Sequence, residues 1–200
     1  GGSLGLAPSD DKIIRVERLL NLDIEPQLIS SILSKKISAG SKYVLIDIPY
    51  NGGKIKKLSD AKKLGERFKK IAKEFKIKVE PIYTEGKQPI GNGMGPILEM
   101  QDVLKVLKNE CGCPVDLKEK SVMLSAALMK LAGVKKARMK AEEILSNGKA
   151  YEKFVEIINA QNGAENFDEK VSDLKLGKFK RVIKAKRTGK IYEISNKKIN

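Results

Sequence analysis

Tyr43–Ile48 reads YVLIDI, with Asp47 as its single charged residue. Val44, Ile46 and Ile48 are β-branched, and the near-continuous apolar run predicts a strand covered on both faces. Working outward, Pro26 opens and Gly40 closes a helical segment, Gln27–Ala39 (QLISSILSKKISA), by the usual asymmetry of proline at helix starts and glycine after helix ends. Leu28 with Ile32, and Ile29 with Leu33, are four apart and mark the buried stripe of that helix. On the other side, Asn51-Gly52-Gly53 is a turn and Ser59-Asp60 opens a long amphipathic helix to Phe75. Lys78–Thr84 (KVEPIYT) is a further strand, weakened by Pro81. Lys12–Arg18 (KIIRVER) is predicted as a short strand ahead of them all. Strands joined through helices give an α/β class, with a mixed, partly parallel sheet flanked by helices.

Gly86–Pro96 (GKQPIGNGMGP) is a loop with four glycines and two prolines. Helices are predicted at Ile97–Asn109, Leu117–Ala132, Ala137–Leu145 and Lys149–Ala160. Past Asn162-Gly163 the composition changes. Arg181–Ala185 and Lys190–Ile194, on either side of Lys186-Arg187-Thr188-Gly189, predict a β-hairpin. The expected organisation is an α/β part over residues 1–163 and a small basic β-rich C-terminal segment over 164–200.

The 200 residues are 41% hydrophobic, enough for a real core. Histidine and tryptophan are absent, which excludes imidazole acid–base chemistry and Ser-His-Asp triads. Catalysis therefore falls to carboxylates, lysines, hydroxyls and backbone amides. The charge is 40 − 25 = +15, which favours anionic ligands. Five Phe and five Tyr stand apart from the basic residues, which weighs against an RNA-stacking surface. The alternative function is nonetheless a basic RNA- or nucleotide-binding module working through Lys178–Lys190. Cys111-x-Cys113 alone lacks the roughly four ligands of a zinc site, and no metal is expected. No apolar run reaches the roughly 18–20 residues that span a bilayer, so no membrane role and a cytoplasmic location are expected.

In parallel sheets ligands sit beyond the carboxyl ends of the strands. The loops expected there, Leu19–Pro26, Pro49–Lys54 and Glu85–Pro96, hold Asp23, Lys54 and the glycine cluster. A carboxylate, an ammonium and flexible amides on one rim suit a phosphorylated ligand. Asp23 also reads as a turn or cap residue before Pro26. Asp10, Asp11 and Glu17 are competing carboxylates, the Asp10-Asp11 pair reading as a loop or a strand start. Ser31 precedes Lys35 by four residues, which sets hydroxyl and ammonium on one helix face. The run Gly91–Gly95 lacks dinucleotide-fingerprint spacing and reads as a tight passage.

Five pieces in order, Ser3–Arg18 (SLGLAPSDDKIIRVER) with Leu22–Pro26 (LDIEP), Ser30–Lys36 (SSILSKK), Tyr43–Lys54, Gln88–Glu99 (QPIGNGMGPILE) and Ala150–Gly163 (AYEKFVEIINAQNG), resemble the middle of the archaeal AMP phosphorylases, within the thymidine and pyrimidine nucleoside phosphorylase family. The resemblance implies phosphorolysis of a nucleoside 5′-monophosphate, AMP or else CMP or UMP. Inorganic phosphate is the co-substrate and no cofactor is needed. It implies Asp23 as proton donor and Ser31, Lys35 and Lys54 as substrate-binding residues. The turn after the strand is about one residue shorter than the family's, so Lys56 competes with Lys54. Val16 stands where thymidine phosphorylases carry an arginine for the pyrimidine, with Arg15 and Arg18 close by, which fits a nucleotide better than thymidine. The family's helical first domain and KTSSG-like phosphate loop have no counterpart in these residues. The chain is thus expected to be a central piece, inactive alone, completed by a missing N-terminal half or a partner chain and homo-oligomeric at full length.

Overall fold

A computed structural model describes residues 8–20, 24–52, 54–161, 167–172 and 175–199. The chain is mixed α/β and divides into two compact units, Gly1–Ile48 with Ser59–Tyr83, and Pro49–Leu58 with Thr84–Asn200.

In the first unit, α1 (Pro8–Leu20) and α2 (Glu25–Ser38) precede β1 (Tyr43–Tyr50), α3 (Leu58–Glu74) and β2 (Lys78–Glu85). α2 buries Ile29 and Leu33, while Leu28 and Ile32, the other pair expected in the stripe, are half-buried; Gly40, with φ 68°, follows its end. β1 and β2 form a two-stranded parallel sheet. The Lys78 amide donates to the Lys42 carbonyl at 3.0 Å and the Gly86 amide to the Tyr50 carbonyl at 2.7 Å. That register gives the ladder donors to even-numbered residues of β2. Pro81 falls on the outer edge, where its missing N–H removes no ladder bond. β1 alternates: Val44, Ile46 and Ile48 are buried, while Leu45 and Asp47 are half-buried. The expected strand is there, but one face carries the burial rather than both.

α3 buries Ala61, Leu64, Gly65, Phe68 and Ala72, the spacing of one helical face. Phe68 is 1% exposed and anchors this core. At Gly65 the helix runs hard against β2. A Cβ there would lie 3.0 Å from the Pro81 ring and 2.3 Å from the Tyr83 hydroxyl.

Lys12–Arg18 is not a strand; it lies within α1. Ile13, Ile14 and Val16 gave the segment its β-like look, yet the wider window carries stronger helix signals. Pro8 stands at the first position, Asp10 and Asp11 fill the first turn, where acids oppose the helix dipole favourably, and Ile13, Val16 and Leu20 recur at helical spacing. The sheet thus loses one of its three expected strands.

The second unit is mostly helical: α4 (Pro96–Leu107), α5 (Val115–Leu131), α6 (Ala137–Ser146) and α7 (Lys149–Ala160), then the short α8 (Phe167–Ser172) and α9 (Asn196–Ile199). Val106, Val122, Ala141 and Leu145 form its core, with Leu117, Met129 and Ala150 packed around them. Phe154 meets Phe167 edge-on, ring centres 5.7 Å apart.

The expected hairpin at Arg181–Ala185 and Lys190–Ile194 does not form. Residues 175–193 carry no strand and are exposed throughout. A lone two-stranded hairpin is marginal in water, and the apolar side chains this one would present, Val182, Ile183, Ile191 and Tyr192, are all at least 80% exposed, with no core beneath them. A side chain partly takes the place of the missing ladder. Gln88 donates to the Tyr192 carbonyl at 3.2 Å and accepts from the Ile194 amide at 2.9 Å. Among the described residues, no helix is long and apolar enough to cross a membrane.

Candidate active site

Ser31 and Lys35 project from the same face of α2, and the Lys35 ammonium donates to the Ser31 hydroxyl at 3.1 Å. The expected pairing is present. A third group completes it, from a helix that sequence reading took for a strand: Asp10, in the first turn of α1. One oxygen, Oδ2, accepts from Lys35 at 2.6 Å and from Ser31 at 2.8 Å. The other, Oδ1, lies 3.4 Å from the Gln27 amide. Asp10 is 8% exposed. Hydrogen bonds from Lys35 and then Ser31, joined by the charge of Lys35, hold its carboxyl below the ordinary aspartate range against the opposing effect of burial. Asp10 is therefore a standing acceptor. It is poorly suited to the proton-donating role for which it competed with Asp23.

An open groove of about 700 Å³ runs beside this cluster between α1 and α2, walled by Ile13, Val16, Ile24 and Pro26. Lys12, Glu17, Gln27 and Ser30 add polar groups to its rim. Gln27 belongs both to this lining and to the hydrogen-bonded cluster, and the groove's apolar walls suit a ligand with a flat or apolar part. Asp23 lies outside the described residues.

Lys54 belongs to the second unit. It sits on the exposed turn closed by an antiparallel bridge between Gly52 and Ile55. Asn51 adopts a left-handed φ of 63° and its amide donates to Glu85 at 3.1 Å. Gly52 packs against the Gly86 carbonyl, with 1.8 Å to where a Cβ would stand. The glycine at position 52 is thus dictated by backbone crowding. Lys56 is exposed two residues further on.

The glycine loop is not an open anion cradle. Asp102, 4% exposed, accepts from the amides of Asn92 and Gly93 at 2.6 and 2.7 Å. Asp116 takes the Gly91 amide at 3.2 Å and Glu99 the Gly95 amide at 3.0 Å. A Cβ on Gly93 would stand 2.6 Å from the Leu98 backbone. The loop is a tight passage, as its composition suggested, with these donors spent on carboxylates of the same unit. Cys111 and Cys113 are both free thiols. Among the described residues, no group of three or more His, Cys, Asp or Glu is placed to hold a metal ion.

Sequence reasoning missed Asp10 because it weighed the carboxylate as a donor and not as a partner. The available signal was Pro8 followed by two acids, a helix opening that places Asp10 in a first turn.

No protein-family model matches the chain. It is 40% identical, over 98% of its length, to the AMP phosphorylases of Methanococcus maripaludis and Methanocaldococcus jannaschii. It is equally 40% identical, over 98%, to a protein of Ralstonia nicotianae described as "Putative thymidine phosphorylase". The match takes in 39%, 39% and 38% of those relatives, so the chain spans about two fifths of the length of the curated proteins it matches. Across almost all of its own length this chain is a homologue of the AMP and thymidine phosphorylases, the family that its motifs resemble.

Proposed function

We propose that this chain is the nucleoside-binding, acid-donating part of a nucleoside 5′-monophosphate phosphorylase. Inorganic phosphate would attack C1′ of AMP, adenine would leave, and ribose 1,5-bisphosphate would form. The sugar passes through a cationic state and the departing base gathers negative charge. Positioning and electrostatics therefore dominate the barrier, and one general acid eases departure.

In this reading Asp23 protonates the base, Ser31 and Lys35 grip the nucleoside, and Lys54 meets the 5′-phosphate as a point charge. The supporting observation is the Ser31–Lys35 contact of 3.1 Å on α2, in a chain 40% identical to AMP phosphorylases. Val16 favours the nucleotide over thymidine, since a valine cannot hydrogen-bond a pyrimidine where a family arginine would.

The test uses the protein that carries this chain at full length. Phosphate-dependent release of adenine from AMP is expected, with CMP and UMP compared and thymidine inert. Asp23→Asn should lower kcat by about 10²–10⁴-fold with little change in AMP affinity. Ser31→Ala and Lys54→Ala should act mainly on KM. Release of thymine from thymidine with AMP untouched would overturn the nucleotide reading. Near-normal turnover by Asp23→Asn would remove that residue as the acid.

A further inference from the structure

We infer that Asp10 is a positioning residue that fixes the polarity of the Ser31–Lys35 pair, an inference that rests on the proposed function. The argument is a count of donors and acceptors. A serine hydroxyl has one proton and two lone pairs. The Ser31 proton is directed to Asp10 Oδ2 at 2.8 Å, and one lone pair accepts from Lys35 at 3.1 Å. One acceptor site is left. The Lys35 ammonium has three protons, of which Asp10 and Ser31 take two. One donor is left. With Asp10 ionised, the trio offers a ligand one acceptor on Ser31 and one donor on Lys35, side by side.

The ligand edge that fits carries a donor next to an acceptor, as two neighbouring sugar hydroxyls do. A group offering acceptors alone, such as a phosphate oxygen pair, would meet the Ser31 lone pair and lose one of its two bonds. Gln27 holds the far oxygen of the same carboxylate at 3.4 Å, and Asp10 itself is almost wholly enclosed, with 10% of its side chain exposed against 36% for Lys35. Asp10 thus acts from behind the pair, without being the group that meets the ligand. Replacing its carboxylate with an amide lets the Asn nitrogen turn toward Lys35 or Ser31, so the hydroxyl proton is free to swing outward and the ammonium loses its anchor.

Two measurements on Asp10→Asn, Asp10→Glu and wild type test this. The first needs no substrate: the Lys35 ammonium signal in nitrogen-15 NMR, visible only while its protons are held. It should be present in wild type, lost in Asp10→Asn and regained in Asp10→Glu. The second is AMP affinity by calorimetry, with KM and kcat in parallel. Asp10→Asn should weaken binding about 10- to 100-fold, the size of one lost contact to a charged group, with kcat changed far less. Adding Asp10→Asn to Lys35→Met should cost less than about 3-fold more, since one unit has already been broken.

Unchanged or tighter AMP binding by Asp10→Asn, with wild-type binding intact, would overturn the inference and leave the proposed function standing. Full additivity of the two substitutions would do the same. Absence of AMP binding by the wild-type protein would overturn the proposed function instead, and the ammonium signal would still decide whether Asp10 holds Lys35. Should Asp10→Asn fail to fold, Asp10→Glu carries the test: it must keep the ammonium signal and wild-type KM within about 3-fold.

Discussion

Gly52→Ala is the substitution for which the structure sets the magnitude most directly. The added Cβ would stand 1.8 Å from the Gly86 carbonyl oxygen, 2.5 Å from its carbon and 3.3 Å from the Lys87 nitrogen, all backbone atoms. An ordinary carbon–oxygen contact needs about 3.3 Å, so the two backbones must part by about 1.5 Å. No rotamer change can absorb that movement. The Gly86 amide is also bonded to the Tyr50 carbonyl at 2.7 Å, the last rung of the β1–β2 ladder, and Gly52 forms the bridge to Ile55.

Overpacking of this kind costs about 1–3 kcal/mol, and a lost backbone bond adds about 1 kcal/mol. The sum is about 2–4 kcal/mol. For a chain of this length that corresponds to a fall of about 4–16 °C in Tm. Thermal unfolding followed by circular dichroism measures it, with Gly189→Ala as the control. A Cβ on Gly189 meets nothing within 4 Å, so its Tm should move by no more than about 2 °C. If Gly52→Ala melts with the control, the turn before Lys54 is not held against Gly86 and the reasoning fails. A Tm that falls as expected, with AMP binding weakened beyond the loss seen in Lys54→Ala, would tie the crowding to the placement of that lysine.

Phe68→Ala should cost about 3–5 kcal/mol in urea unfolding, because the ring is 1% exposed; a loss under 1 kcal/mol would move the core of the first unit elsewhere. Asp102→Ala should cost about 2–4 kcal/mol by orphaning the Asn92 and Gly93 amides, and Asp102→Asn, which keeps one acceptor, should recover part of it. Asp10 gives a pH dependence. Its folded pKa is lowered, so its contribution is fully present above the unfolded value of about 3.9 and is lost as pH falls through the folded one. Wild type should therefore lose stability more steeply than Asp10→Asn below about pH 4, and parallel curves would dismiss the ion pair.

The fold was legible wherever apolar spacing and punctuation agreed. Pro26 marks the first turn of α2 and Gly40 follows its end; of the two pairs expected in its buried stripe, Ile29 and Leu33 are buried and Leu28 and Ile32 half-buried. β1, α3 and β2 appear within a residue or two of their expected bounds. The failures share one cause, a window read too narrowly. KIIRVER looks like a strand only when Pro8, Asp10 and Asp11 are left out. RVIKA and KIYEI look like a hairpin only when the question of what they would pack on is not asked. Residues 181–185 and 190–194 carry β-branched and aromatic residues, yet Val182, Ile183, Ile191 and Tyr192 are all at least 80% exposed. Propensity alone does not make a sheet when no surface lies beneath it.

The site follows the same logic one level up. Ser31 and Lys35 were legible because four residues along a helix fix their proximity without tertiary information. Asp10 was not, because its 21- and 25-residue separations from them close only when α1 packs on α2. Its discovery changes the chemical reading more than a further contact would. An ionised, enclosed carboxylate beside the pair is poorly placed to protonate a leaving base, since the Lys35 and Ser31 donors that hold it favour the form without a proton. In the proposed reaction the acid would then be another carboxyl group, one that keeps a proton when the ligand arrives. In the second unit the glycine-loop amides of Gly91, Asn92, Gly93 and Gly95 are committed to carboxylates, so the loop cannot serve as a phosphate cradle without surrendering Asp102 or Asp116. Both constraints press the proposed chemistry toward the same division of labour. In the proposed reaction Asp23 would supply the proton, side-chain ammonium groups would meet the phosphate, and Asp10 would set which atoms of Ser31 and Lys35 remain for the sugar.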